Sequence, residues 1–338
     1  MSDELYRLRD VHVTYQRGRR PLVRAVDGVD LEWRRGETLG LVGESGCGKS
    51  TLARTLVGLD APTQGTIEFE GAPVAHDLRA LRRKVQLIFQ DPYQSLNPRR
   101  TIGVQVQEGL AARGERAGEA RVRKAVAALH DAGLSPADRF WNRYPHELSG
   151  GQRQRVVIAA ALALEPEALV CDEPVSALDV SVRTQVLRLL VELREARALS
   201  LLLITHDVGL AWSLCDRVAV MYLGRIVELG TTEQVLGDPQ HPYTKALLAV
   251  APRIEPRTAP RTLLVGEPPD ATAIPPGCRF HPRCPVAFER CPVDDPLLPE
   301  REHAAACWLV QEPRPATPPA SRCSGRPAWR RRARGRLA

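Results

Sequence analysis

The stretch from Gly43 to Thr51 reads GESGCGKST, a full match to the phosphate-binding pattern G-x-x-x-x-G-K-[ST]. Gly43, Gly46 and Gly48 let backbone N–H groups approach a triphosphate. Lys49 neutralises its charge, and the Ser50 hydroxyl can ligate Mg²⁺. Glu44, Ser45 and Cys47 complete the loop, and Thr51 is available to the α-phosphate. About a hundred residues later a second glycine-rich turn, LSGGQ, places Ser149, Gly150, Gly151 and Gln152 just ahead of a long apolar helical pattern. Free amides at a helix N-terminus attract anions. One chain therefore carries two phosphate cradles, a pairing more diagnostic than either loop alone.

A third group of residues could act on a phosphate once bound. The segment LVCDEP puts Asp172 at a strand end, followed by Glu173. A carboxylate there can hold Mg²⁺ through water.

These residues need strands that end beside one another. Strands are expected over 5–15, 25–33 and 38–42, the last running into the phosphate loop, with a helix from 49 to about 58. Strand, glycine-rich turn, helix is the context such a loop requires. Further short strands are expected over 65–70 and 85–89. The pattern is helical from about 95 to 165, with alanine-rich helical stretches over 111–133 and 151–164. The apolar runs at 168–171 and 201–204 suit a buried parallel sheet, and a helix over 180–197 joins them. Each run ends in polar residues, where α/β sheets place ligands. After Gly230, prolines recur at 239, 242, 252, 256, 260, 268, 269, 275 and 276. That composition predicts an extension that does not continue the sheet.

Composition narrows the setting. The longest apolar run, 156–164, is about nine residues, far short of the ~18 needed to span a bilayer. The N-terminus is charged from the start, so a cytosolic chain that reaches membranes through partners is expected. The net charge is +7, but residues 313–338 hold eight arginines and no acid, which leaves about −1 for the rest. The basic character belongs to that tail, expected to be disordered, and nucleic acid is not an expected partner.

Taken together, the motifs resemble the nucleotide-binding subunit of an ATP-binding cassette (ABC) transporter, over roughly residues 5–312. The resemblance implies an α/β fold: a P-loop ABC ATPase core with a β subdomain, an inserted helical subdomain and a Pro/Cys-rich C-terminal extension. It implies three regions: a nucleotide-binding domain over 1–240 (helical subdomain about 95–165), the extension over 241–312, and the tail over 313–338. It makes Glu173 the general base, Gln90 a contact to Mg²⁺ and water, and His206 the switch that contacts the γ-phosphate. Tyr15 would stack on adenine, and SALD, ending at Asp179, would be the D-loop. Mg²⁺ would be held through Ser50, Gln90 and Asp172. ATP would lie between one subunit's P-loop and Ser149, Gly150, Gly151 and Gln152 of the other in a head-to-tail dimer. One departure is IAAALA, where Ala160 stands at a position the family often fills with Arg.

Two stretches, DPYQSLNPRR at 91–100 and HPYTKALLAVAP at 241–252, are similar to the oligopeptide/dipeptide branch of ABC importers, whose relatives also move nickel. The resemblance implies a second ATP-binding subunit, identical or different, two membrane permease subunits and an extracytoplasmic solute-binding protein. The location would be peripheral, at the cytoplasmic face of a prokaryotic inner membrane. A soluble ABC protein acting on ribosomes or DNA is the rival reading. A single cassette and the lack of a long coiled-coil insertion weigh against it.

Cys278, Cys284, Cys291 and Cys307 form C-x5-C-x6-C-x15-C. Zinc sites usually show closer pairs, and four thiolates suit a 4Fe–4S cluster, which some members of this branch carry. Iron–sulfur, zinc with help from His281 or His303, and metal-free thiols all stay open.

Overall fold

The computed structural model describes residues 3–16, 22–250 and 266–312; the tail and its expected disorder lie outside them. The strands in chain order are β1 (Glu4–Tyr15), β2 (Val23–Arg34), β3 (Thr38–Val42), β4 (Gln64–Phe69), β5 (Ala72–Pro73), β6 (Val85–Ile88), β7 (Ala168–Asp172), β8 (Ser200–Thr205), β9 (Arg217–Tyr222), β10 (Arg225–Thr231) and β11 (Ala304–Ala305). They build two sheets. β1 and β2 alternate buried and exposed residues over much of their length, as strands with one solvated face must. They form an antiparallel sheet of order β2-β1-β4-β5. Its buried face carries Tyr6 stacked on Trp33, ring centroids 5.4 Å apart.

The strings TLGLV, ALVCD and SLLLIT in β3, β7 and β8 are buried along their whole length. Continuous apolar strands of this kind need cover on both faces and sit at the centre of a parallel sheet. The second sheet has the order β11-β10-β9-β3-β8-β7-β6. Its pairs are parallel from β9 to β6 and antiparallel at the β9-β10-β11 edge.

The helices are α1 (Lys49–Leu56), α2 (Leu78–Lys84), α3 (Pro92–Ser95), α4 (Ile102–Ala112), α5 (Glu119–Asp131), α6 (Asp138–Trp141), α7 (Gly150–Leu162), α8 (Val180–Arg197), α9 (Val208–Leu214), α10 (Pro242–Val250) and α11 (Trp308–Gln311). α3 to α7 fall between β6 and β7. There α7, buried along most of its length, packs against α4 and α5. One apolar core joins this helical region to the central sheet, and a second lies between the two sheets and α1.

The fold is the expected α/β cassette, with local differences. The alanine-rich stretch 111–133 is two helices: α4 ends at Ala112 and α5 begins at Glu119, with Gly114 and Gly118 between them at φ +88° and +157°. α2 was not expected; Asp77 starts it by accepting a hydrogen bond from the Ala80 amide. The extension does continue the sheet, against expectation. β11 pairs antiparallel with β10, Ala304 opposite Leu229 and Ala305 opposite Glu228. Its cause is Glu228, fully buried, which accepts hydrogen bonds from the Gln240 and His241 amides and lies 2.8 Å from His303 Nε2. A buried carboxylate must be partnered, and these contacts draw the chain on both sides of 250–265 back against β10.

Candidate active site

Four adjacent parallel strands, β3, β8, β7 and β6, end on one side of the sheet, and each delivers part of the site. β3 runs into the phosphate loop. Its tight turn depends on two glycines in particular. A Cβ on Gly43 would fall 2.2 Å from the Met221 carbonyl oxygen, and one on Gly48, at φ +109°, 2.0 Å from that of Ala25. Gly46 faces open space. Lys49 is buried, and its Nζ donates to the carbonyls of Gly43 and Glu44, each at 2.8 Å. The ammonium is thus held over the loop by its own backbone. Cys47 is buried beneath the loop, and burial pushes its thiol pKa up. Ser45 is exposed, and Thr51 follows on the first turn of α1.

β7 ends at Asp172, 7% exposed, whose Oδ1 accepts a hydrogen bond from Ser50 Oγ at 3.1 Å. Burial pushes the Asp172 carboxyl above its usual range, Ser50 opposes this, and the charge of Glu173 adds to it. Two adjacent oxygen donors, one a carboxylate short of countercharge, fit a hard cation such as Mg²⁺.

Glu173 follows at φ +47°, a left-handed conformation uncommon outside glycine. Its amide donates to the Ile204 carbonyl on β8 at 3.0 Å, which fixes the turn. Its carboxylate collects the other two candidates. Gln90 Nε2, beyond β6, donates to Oε2 at 3.1 Å, and His206 Nδ1, beyond β8, lies 3.1 Å from Oε1. Three residues far apart in the chain therefore converge on one carboxyl group. Gln90, expected at the cation, is hydrogen bonded here to Glu173.

Tyr15 ends β1, 42% exposed, and its hydroxyl donates to Asp60 Oδ2 at 2.8 Å. The LSGGQ turn caps α7: Ser149 Oγ accepts from the Gln152 amide and Gln152 Oε1 from the Ser149 amide, at 3.3 and 3.0 Å. This reciprocal arrangement is a capping box. Gly151 is needed for helix packing, since a Cβ there would meet Val182 Cγ1 at 2.2 Å. Gly150 is not so constrained, its nearest neighbour being 3.5 Å away. Asp179 is exposed at the start of α8, next to Val180, which is 77% exposed.

Cys278, Cys284, Cys291 and Cys307 line one small cavity together with His241 and His281. Among the described residues no group of three or more His, Cys, Asp or Glu side chains is arranged to hold a metal ion. The expected iron–sulfur or zinc site therefore finds no ready-made cage. Burial pushes the Cys278 thiol pKa up to about 12, and those of Cys284 and Cys307 upward as well.

Sequence reasoning missed several supporting residues. Asp60 holds the Tyr15 hydroxyl. Arg153, 7% exposed in α7, stacks on Tyr93 at 4.0 Å from its ring centroid, linking the Gln90 segment to the LSGGQ helix. Tyr243 and Arg283 reach the phosphate loop from the extension. None of these has a local spacing that announces it.

Known proteins resemble this chain over most of its length. Residues 26–176 match the family model described as ABC transporter, and residues 227–291 the one described as oligopeptide/dipeptide transporter, C-terminal region. The chain is 47% identical over 295 residues to a dipeptide transport ATP-binding protein, DppF, of Haemophilus influenzae, covering 85% of this chain and 90% of the relative. It is 44% identical over 299 residues to DppF of Escherichia coli, covering 86% and 88%. Among solved structures, it is similar to the dimeric, post-hydrolysis ATP-binding cassette MJ0796 bound to ADP and Pi. The TM-score is 0.61 at 32% identity, over 68% of this chain and 99% of that one. It is also similar to cbiO1 of Clostridium perfringens, part of the ABC transporter complex cbiONQ, with TM-score 0.62 at 29% identity, over 70% and 92%.

Proposed function

The chain belongs to the ABC transporter family of peptide-import ATP-binding subunits, and on that premise we propose how its residues perform the ATP hydrolysis that drives import. The observation that carries the reading is the convergence of Gln90 and His206 on Glu173, beside the Ser50–Asp172 pair and Lys49. Phosphoryl transfer to water is mainly positioning and charge neutralisation. Lys49 exchanges the Gly43 and Glu44 carbonyls for phosphate oxygens. Ser50 and Asp172 would hold Mg²⁺, which would supply positive charge against that developing on the phosphate. Glu173 accepts a proton from the attacking water, Gln90 orients that water, and His206 donates a hydrogen bond to the γ-phosphate. Tyr15, steadied by Asp60, stacks on the adenine.

ATP is closed in by a second ATP-binding subunit, whose Ser149, Gly150, Gly151 and Gln152 contact the γ-phosphate across a head-to-tail dimer. The unconstrained surroundings of Gly150 and the exposed Asp179–Val180 pair support a partner on that face. Phe89 and Tyr93, 43% and 64% exposed beside Gln90, support a second contact face, to the permease subunits. No helix among the described residues is long and apolar enough to cross a membrane. Two permease subunits and an extracytoplasmic solute-binding protein complete the importer, with this chain peripheral at the cytoplasmic face. We read 1–240 as the nucleotide-binding unit, with its helical subdomain at about 95–165, 241–312 as the extension and 313–338 as the tail.

Glu173→Gln keeps the shape of the side chain and removes the proton acceptor. In the reconstituted transporter, turnover should fall at least ~10²-fold while ATP still binds. Near-normal turnover would exclude Glu173 as the base.

The four cysteines support a 4Fe–4S centre through donor chemistry alone: an all-thiol set gathered at one cavity. The thiols would have to lose their protons on loading, against the burial that raises the pKa values of Cys278, Cys284 and Cys307. Such a centre would cross-link a segment with little regular structure. Anaerobic purification should then give a brown protein that Cys291→Ser bleaches. A colourless protein with neither iron nor sulfide would refute it.

A further inference from the structure

Glu44, in the phosphate loop, has all its polar groups engaged, its amide and carboxylate by residues of the C-terminal extension. Its carbonyl accepts from Lys49, at 2.8 Å. Its amide donates to the Tyr243 hydroxyl at 2.9 Å. Its carboxylate accepts a parallel pair of hydrogen bonds from Arg283, Nη1 to Oε2 at 2.7 Å and Nη2 to Oε1 at 3.0 Å. The Arg283 side chain is 5% exposed and that of Glu44 23%. Forked arginine–carboxylate pairs are among the strongest and most directional side-chain contacts.

Both partners come from outside the catalytic core. Tyr243 lies in α10, fully buried, with ring centroids 4.6 Å from Tyr222 and 5.4 Å from Phe280. Arg283 sits in a short turn between Cys278 and Cys284. Its guanidinium lies 5.9 Å from the Tyr222 ring centroid. An aromatic wedge thus fixes both partners, and they fix the loop. Neutralisation matters as well: an unpaired Glu44 would set a negative charge beside the incoming triphosphate.

We propose that Arg283, supported by Tyr243, is a positioning residue for ATP binding: it orients Glu44 and cancels its charge, so the C-terminal extension sets the affinity of the phosphate loop. The proposal rests on the loop being the ATP site. The test measures MgATP binding to the full-length chain by calorimetry, and KM and kcat in the assembled transporter. Arg283→Gln should weaken ATP binding about tenfold and raise KM by more than it lowers kcat. Arg283→Lys, which keeps the charge but not the fork, should lose only about threefold. Arg283→Gln combined with Glu44→Gln should bind ATP more tightly than Arg283→Gln alone, because the uncompensated charge is gone. A purely structural defect would not be repaired in that way. Parent-like affinity in Arg283→Gln, equal losses in the Gln and Lys variants, or a double variant no tighter than Arg283→Gln would each overturn the proposal. Lys49→Ala separates the two readings. If it too binds like the parent, the loop is not the ATP site. If it loses binding while Arg283→Gln does not, only the positioning role fails.

Discussion

The nucleotide face and the C-terminal extension solve the problem of holding polar groups in opposite ways. At the nucleotide face, strand ends set the positions and the polar groups bond to one another: Ser50 to Asp172, Gln90 and His206 to Glu173. The side chains keep some access, with His206 58% exposed. In the extension there is little regular structure, and buried contacts do the holding. His241, Tyr243 and Phe280, with Glu228 of β10 to which the His241 amide donates, are each at most 1% exposed. The first arrangement leaves groups free to change partners when a ligand arrives. The second leaves them nowhere to go, which suits a brace.

The largest expected contrast lies in the LSGGQ turn. If it acts on the partner's nucleotide, Ser149→Arg should leave ATP binding by the isolated chain near that of the parent. Turnover of the assembled transporter should drop ~10²-fold or more, as when a transition-state contact is lost. Loss of ATP binding by a folded isolated chain would put the turn at its own phosphate loop and erase the contrast.

An intermediate effect sharpens the picture of the brace. Burial lowers the His241 pKa from 6.5 to about 3. Its Nδ1 accepts from the Tyr243 amide at 3.0 Å, while Lys245, Glu228 and His303 lie around it. The folded pKa is below the unfolded one, so the neutral ring's contribution is complete above about 6.5. It fades as pH falls towards 3, by up to about 1.4 kcal/mol per pH unit. Denaturant melts between pH 7 and 4 should be less pH-dependent for His241→Asn than for the parent. Equal slopes would assign the acid sensitivity to other groups.

The smallest effect is expected beyond the brace. Ending the chain at Glu312 removes an arginine-rich segment with few apolar residues and none of the motifs. ATPase activity and assembly should stay within about twofold of the parent. A lost membrane complex would instead make the tail part of the docking machinery.

The same contrast explains what could be read from sequence. The phosphate loop, LSGGQ and the Asp172–Glu173 pair are local strings whose spacing dictates their geometry, and the strands that carry the first and last are continuous apolar runs. Gln90 and His206 were found through the family's motif order, since a glutamine or histidine at a strand end has no signature of its own. The extension announced its family branch through HPYTKALLAVAP at 241–252, but its contacts with the core were illegible. Arg283 and Glu44 are 239 positions apart, and β11 is two alanines whose pairing depends on a buried glutamate far upstream. α2, seven residues long, is too short for periodicity to reveal.

β11 has one more consequence. An unpaired sheet edge offers a row of free amides and carbonyls to any other chain. Here two alanines close part of β10's outer edge, paired at Glu228 and Leu229. Shortened chains that stop after Glu312 keep that seal. Chains that stop before Ala304 would show each other a bare ladder, and their difficulty would be solubility rather than catalysis.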